Sequence, residues 1–119
     1  MHRLPEILAE RRPSDAQVEL DLRVPPDLGC FAGHFPGAPV LPGVVQIDWC
    51  VRLARERFAP SGAHFSNFRA LEQIKFLAPI LPSAQVSLLL ESRNGGERLR
   101  FVYSARERKF SSGTIVFGA

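Results

Sequence analysis

No apolar run in this chain approaches the ~18 residues that a membrane span needs, so a membrane-spanning helix is not expected. No secretion leader is legible either: between Met1 and Arg12 the acids Glu6 and Glu10 and the pair Arg11–Arg12 interrupt any apolar stretch. Cysteine is scarce. The two present, Cys30 and Cys50, lack a metal-ligand spacing, and without a leader they read as free thiols in a reducing, cytoplasmic setting. There is no internal repeat, no low-complexity segment and no basic run beyond Arg106–Lys109. The net charge of +3 comes from 15 basic residues interleaved with 12 acids. That excludes a concentrated nucleic-acid footprint and suits an acidic protein partner or a phosphorylated small molecule.

What the sequence does have is an ordinary globular composition, 45% hydrophobic and 23% charged over 119 residues, fitting one domain over 1–119. Its densest signal runs from Gly33 to Trp49. Pro36, Pro39 and Pro42 stiffen a loop that Gly33, Gly37 and Gly43 allow to turn tightly. The loop then passes into an apolar helix, with Pro42 suited to the first helical position. A histidine, His34, lies in the rigid part and an aspartate, Asp48, in the apolar part. That combination reads as a site rather than as core.

Around this stretch the elements follow from periodicity. Pro5 to Arg11 has helical spacing, with Leu4, Ile7 and Leu8 on one side, and Arg12–Pro13–Ser14–Asp15 breaks it. Ala16 to Val24 alternates, Val18, Leu20, Leu22 and Val24 facing one way, as a half-buried strand does. The helix spans about Pro42 to about Phe58; its first turns are apolar nearly all round and should be buried on most sides. About four antiparallel strands follow, from Phe65 onward, with Asn94–Gly95 marking a hairpin turn and Lys109 to Phe117 the last strand. The fold class is α+β, an antiparallel sheet wrapped on one long helix. Two open sheet edges argue for pairing with a second copy.

His34-Phe35-Pro36-Gly37-x-Pro39-Val40-x-Pro42-Gly43, with an acid fourteen residues after the histidine, resembles the 3-hydroxyacyl-thioester dehydratases of the hot-dog fold, which act on acyl carrier protein substrates. The motif has eight fixed positions and the element order fits the whole chain. Asp48 is the acid of the branch that also isomerises, the other main branch having Glu. Gln46-Ile47-Asp48-Trp49 looks more like the small stand-alone dehydratases of aryl-polyene pathways.

The resemblance implies a dimeric hot-dog hydro-lyase that converts a (3R)-3-hydroxyacyl thioester to the trans-2-enoyl thioester without metal or cofactor. It implies His34 as the base at C2 and Asp48 of the facing subunit as the acid for the 3-hydroxyl. It also implies the Gly43 N–H as the donor to the thioester oxygen. Apolar surroundings favour the protonated form that the acid role of Asp48 needs; against this, Asp48 also has the spacing to pair with Arg52 at i+4. The family usually has Gln at position 52, and a guanidinium there favours the charged carboxylate. The expectation is that Arg52 points away, towards solvent or the carrier-protein phosphate. Phe35, Val40, Leu41, Val44 and Arg52 are candidate substrate contacts. Phe68, Phe76 and Trp49 read as core or tunnel wall, His2 and His64 as exposed and inert, and Cys50 as packing. Arg69, Lys75 and the 106–109 cluster are solvated surface, or a landing for an acidic carrier protein. The rivals are a thioesterase on the same fold and a non-catalytic carrier-binding partner subunit.

Overall fold

The computed structural model describes residues 3–31 and 39–118. Val18, Leu20 and Leu22 alternate with polar residues on β2 (Gln17–Arg23) and are fully buried, because a period of two sends every second side chain to one face. The same rule builds β4 (Gln85–Arg93), β5 (Arg98–Ala105) and β6 (Arg108–Phe117). With β1 (Glu6–Ser14) and β3 (Phe68–Phe76) they form a six-stranded antiparallel sheet in the order β1-β2-β4-β5-β6-β3. The inner faces align in rows. One runs Leu20, Leu88, Tyr103, Ser111, Phe76; the next runs Val18, Leu90, Phe101, Gly113.

The helix α1 (Gly43–Arg57) packs on that inner face through Val45, Gln46, Trp49, Cys50, Leu53 and Ala54. Burying each large side chain contributes roughly 1.5–3 kcal/mol. Trp49 enters the core with its indole N–H donating to the Arg3 carbonyl at 2.9 Å. Phe58, Phe65 and Phe117 close the far end in edge-on pairs. The Asn94–Gly95 signal is realised: both residues take positive φ, at 53° and 66°, and turn β4 into β5.

Four expectations need correction. The stretch with helical spacing, Pro5 to Arg11, is extended as β1. It pairs with the edge of β2 that β4 leaves open, and Arg11 joins Glu19 and Asp21 across the pair at 2.6 and 2.7 Å. A short amphipathic helix has no comparable gain, so the open edge of β2 overrides the local pattern. Pro42 caps the helix in an extended conformation, with φ −62° and ψ 148°, so the first helical residue is Gly43. The helix is also less enclosed than its composition suggests. Val44 is 68% exposed, and Ile47, Asp48, Val51 and Arg52 are half-buried on the same side. Finally, Phe68 and Phe76 are not core in the single chain, at 60% and 54% exposed. They sit on β3, the last strand of the sheet, where no further strand covers them.

Gly113, on β6, lies beside Ile74 at the register shift between β3 and β6. A Cβ there would collide with the end of Ile74 and come within 3.2 Å of both the Ile74 Cα and the Phe101 ring. Gly113→Ala is expected to destabilise the fold by about 1–3 kcal/mol, read as a lowered urea midpoint with unchanged slope.

Candidate active site

The helix start is the place where loop, sheet and helix converge. Pro42 supplies a carbonyl that accepts from the Val45 and Gln46 amides, both at 3.1 Å. Gly43 opens α1 and contributes one of the N–H groups that no helical carbonyl reaches. A Cβ there would meet the tip of the Phe76 ring, with Cε1 at 2.9 Å, so any larger residue needs that exposed ring to turn aside.

Asp48 lies on the helix side that the sheet leaves open. Its carboxylate meets the Arg52 guanidinium at 3.3 Å, both side chains being partly exposed. The expectation that Arg52 points away is therefore overturned. An acid four residues before a base on one helix face is the favourable orientation for such a pair, and here nothing in the chain's own sheet separates them. Val40 is half-buried, Leu41 belongs to the core, and Val44 projects outward beside Asp48's side of the helix. His34 and Phe35 fall outside the described residues, as does His2. His64 is exposed, as expected.

Gln46 was legible in the sequence only as a polar residue inside an apolar run. In the structure it is 3% exposed and fully bonded. Its Nε2 donates to the Leu41 carbonyl at 3.1 Å, and its Oε1 accepts from the Ser111 hydroxyl at 2.7 Å. Its backbone carbonyl accepts from Tyr103 Oη at 2.7 Å, which in turn accepts from the Cys50 thiol at 3.5 Å. Among the described residues no buried side-chain polar atom lacks a partner, as a buried network requires.

Cys30 and Cys50 are both free thiols. Burial pushes Cys50 up to about 12, far from the thiolate needed for reactivity. Burial, with Cys50 beside it, pushes the Tyr103 phenol well above its ordinary value too. Among the described residues no group of three or more His, Cys, Asp or Glu side chains is placed to hold a metal, and no described helix is long and apolar enough to cross a membrane.

An antiparallel sheet wrapped on one central helix, with a carboxylate on the helix's open side and a glycine at its first turn, defines the hot-dog class. The chain belongs to the ApeI-like dehydratase family, whose profile matches residues 10–114. It superposes with a TM-score of 0.83 on a chain of the dehydratase heterocomplex ApeI:P from Xenorhabdus doucetiae, at 31% identity, covering 96% of this chain and 97% of that one. An uncharacterised protein of known structure from Erwinia carotovora subsp. atroseptica is 39% identical, with a TM-score of 0.78 over 96% of this chain and 95% of its own. The 3-hydroxyacyl-(acyl-carrier-protein) dehydratase FabZ of Haemophilus influenzae (strain PittEE) is 33% identical over 73 residues, 56% of this chain and 49% of the relative. The chain spans about half the length of the curated relatives it matches.

The buried thiol has a consequence in alkali. Unfolded, it ionises near its ordinary 9.0; folded, it keeps its proton to about 12. Above pH 9 the unfolded chain binds fewer protons, so stability falls with rising pH, by about 1.4 kcal/mol per pH unit for one such group. Cys50→Ala is expected to flatten that slope between pH 9 and about 12, measured by urea unfolding across the range. An unchanged slope would refute it.

Proposed function

We propose that the chain dehydrates a (3R)-3-hydroxyacyl thioester, carried on acyl carrier protein, to the trans-2-enoyl thioester. The observation that carries the reading is the open side of α1, where Asp48 is left uncovered by the chain's own sheet and can face a second subunit, in a chain of a dehydratase family. His34 takes the proton from C2. Charge moves onto the thioester oxygen, where the Gly43 N–H receives it. The C3–O bond then breaks, and Asp48 of the facing subunit protonates the departing hydroxyl so that water leaves. Val40, Val44 and Phe35 lie along the acyl chain, whereas Leu41, an expected contact, is taken up by the core. No metal or cofactor takes part.

The active unit in this reading is a homodimer. Support comes from β3, an edge strand with Phe68, Leu71 and Phe76 exposed, followed by exposed Leu77 and Leu81. Contiguous apolar surface beside an unpaired edge is what a second copy would cover. An acidic carrier finds a basic hollow of about 170 Å³ on the outer sheet face, lined by Lys75, Arg100 and Lys109 among others. The two free thiols suit a cytoplasmic setting.

One observation favours a second reading. The Asp48 carboxylate is engaged by Arg52 at 3.3 Å, and a partner subunit in a heterocomplex would not need that acid. The purified chain alone decides: enoyl product, followed by its ultraviolet absorbance, supports the dehydratase, whereas turnover only after a partner is added supports the subunit role. For the enzyme, His34→Ala and Asp48→Asn should each cut turnover by on the order of 10²–10⁴-fold while sedimentation still reports a dimer. Wild-type turnover in either variant would dismiss the assignment. Arg52→Gln should leave turnover equal or higher; a loss would show that the guanidinium itself contributes.

A further inference from the structure

We propose that Gln46 is a positioning residue: its buried amide clamps the Leu41–Gly43 backbone to the sheet and so sets where the Gly43 N–H points. The consequence for turnover rests on the dehydratase reading; the placement of the Gly43 amide does not.

The stretch before the helix is poor in backbone bonds. Pro42 has no N–H, and the Gly43 N–H belongs to the first turn, where helices leave donors over. What holds Leu41 is a bond on each side. Its N–H donates to the Ile80 carbonyl at 2.8 Å, and its carbonyl accepts from Gln46 Nε2 at 3.1 Å. The other end of the same amide accepts from Ser111 on β6 at 2.7 Å. Ser111 is directly opposite Phe76 in the β3–β6 pair, and Phe76 is the ring that covers Gly43. Tyr103, next in that row, anchors the Gln46 carbonyl. One side chain therefore links the loop end, the helix start and the row of the sheet beneath them.

Stability alone is a weak reason for this arrangement. Replacing both partners of a buried hydrogen bond by apolar groups of similar shape can be nearly neutral. Apolar groups supply contact but no direction, and a donor to a developing oxyanion works only when aimed. A displacement near 1 Å far from the chemistry can cost about 10²-fold in rate.

The test is the double variant Gln46→Leu/Ser111→Ala, with Val18→Ala on β2 as a control that only weakens the core. Two readouts are taken: the Gly43 amide resonance with its solvent exchange, and kcat and KM on a (3R)-3-hydroxyacyl-pantetheine thioester. In the double variant the Gly43 resonance should shift and exchange faster. Turnover should fall about tenfold or more with KM within about twofold. Val18→Ala should leave both readouts as in the wild type. An unmoved Gly43 resonance, or a loss of kcat no larger than the control's, overturns the proposal. If the wild-type chain shows no turnover, the dehydratase reading fails and the Gly43 resonance alone decides for or against the clamp.

Discussion

A helix lying in the trough of a single twisted sheet can bury only the side it turns towards the sheet. In this chain that side is Val45, Trp49, Cys50, Leu53 and Ala54, pressed on the Val18–Leu22, Val86–Leu90 and Leu99–Tyr103 rows. The opposite side keeps Val44, Ile47, Asp48, Val51 and Arg52. The packing constraint that makes the core is therefore the one that leaves a carboxylate and apolar groups together on an open side. The unpaired β3 edge, with Phe68 and Phe76 exposed, is the second such remainder.

Phe76 ties those two remainders together. Its backbone pairs with Ser111 on β6, and its ring stands over Gly43 at the helix start. The glycine leaves room for that ring, although helix propensity disfavours it. Pro42, one residue before, accepts two helical amides while giving none. The first turn is thus shaped by residues of three separate elements, and Gln46 is the only side chain among those described that bonds both the loop end and β6.

The polar groups inside the core obey one rule, complete satisfaction. Gln46, Ser111, Tyr103 and Cys50 form a chain in which every buried side-chain polar atom among the described residues has a partner. Tyr103 and Cys50 are held neutral far into alkali because burial penalises their ions, and for Tyr103 the neighbouring Cys50 adds to that effect. Apart from Arg52–Asp48 on the open side of α1, ion pairs such as Arg11 between Glu19 and Asp21 lie outside the core, where they contribute little individually.

By itself the sequence determined what local periodicity and backbone chemistry can determine. The alternation of β2, the Asn94–Gly95 turn and the span of α1 were all legible, because each depends on residues within a few positions of one another. Asp48 and Gly43 could be singled out by the spacing of one motif. The tertiary structure decided the rest. Pro5 to Arg11 became a strand because β2 offered an edge, and Phe68 and Phe76 stayed exposed because β3 ended the sheet. Arg52 met Asp48 because both face the open side of α1, and Gln46 became a clamp because Ser111, sixty-five residues away in sequence, was folded beneath it. Apart from the Arg52–Asp48 pair, whose i,i+4 spacing is local, each of these turns on a contact between distant segments, which no local pattern encodes.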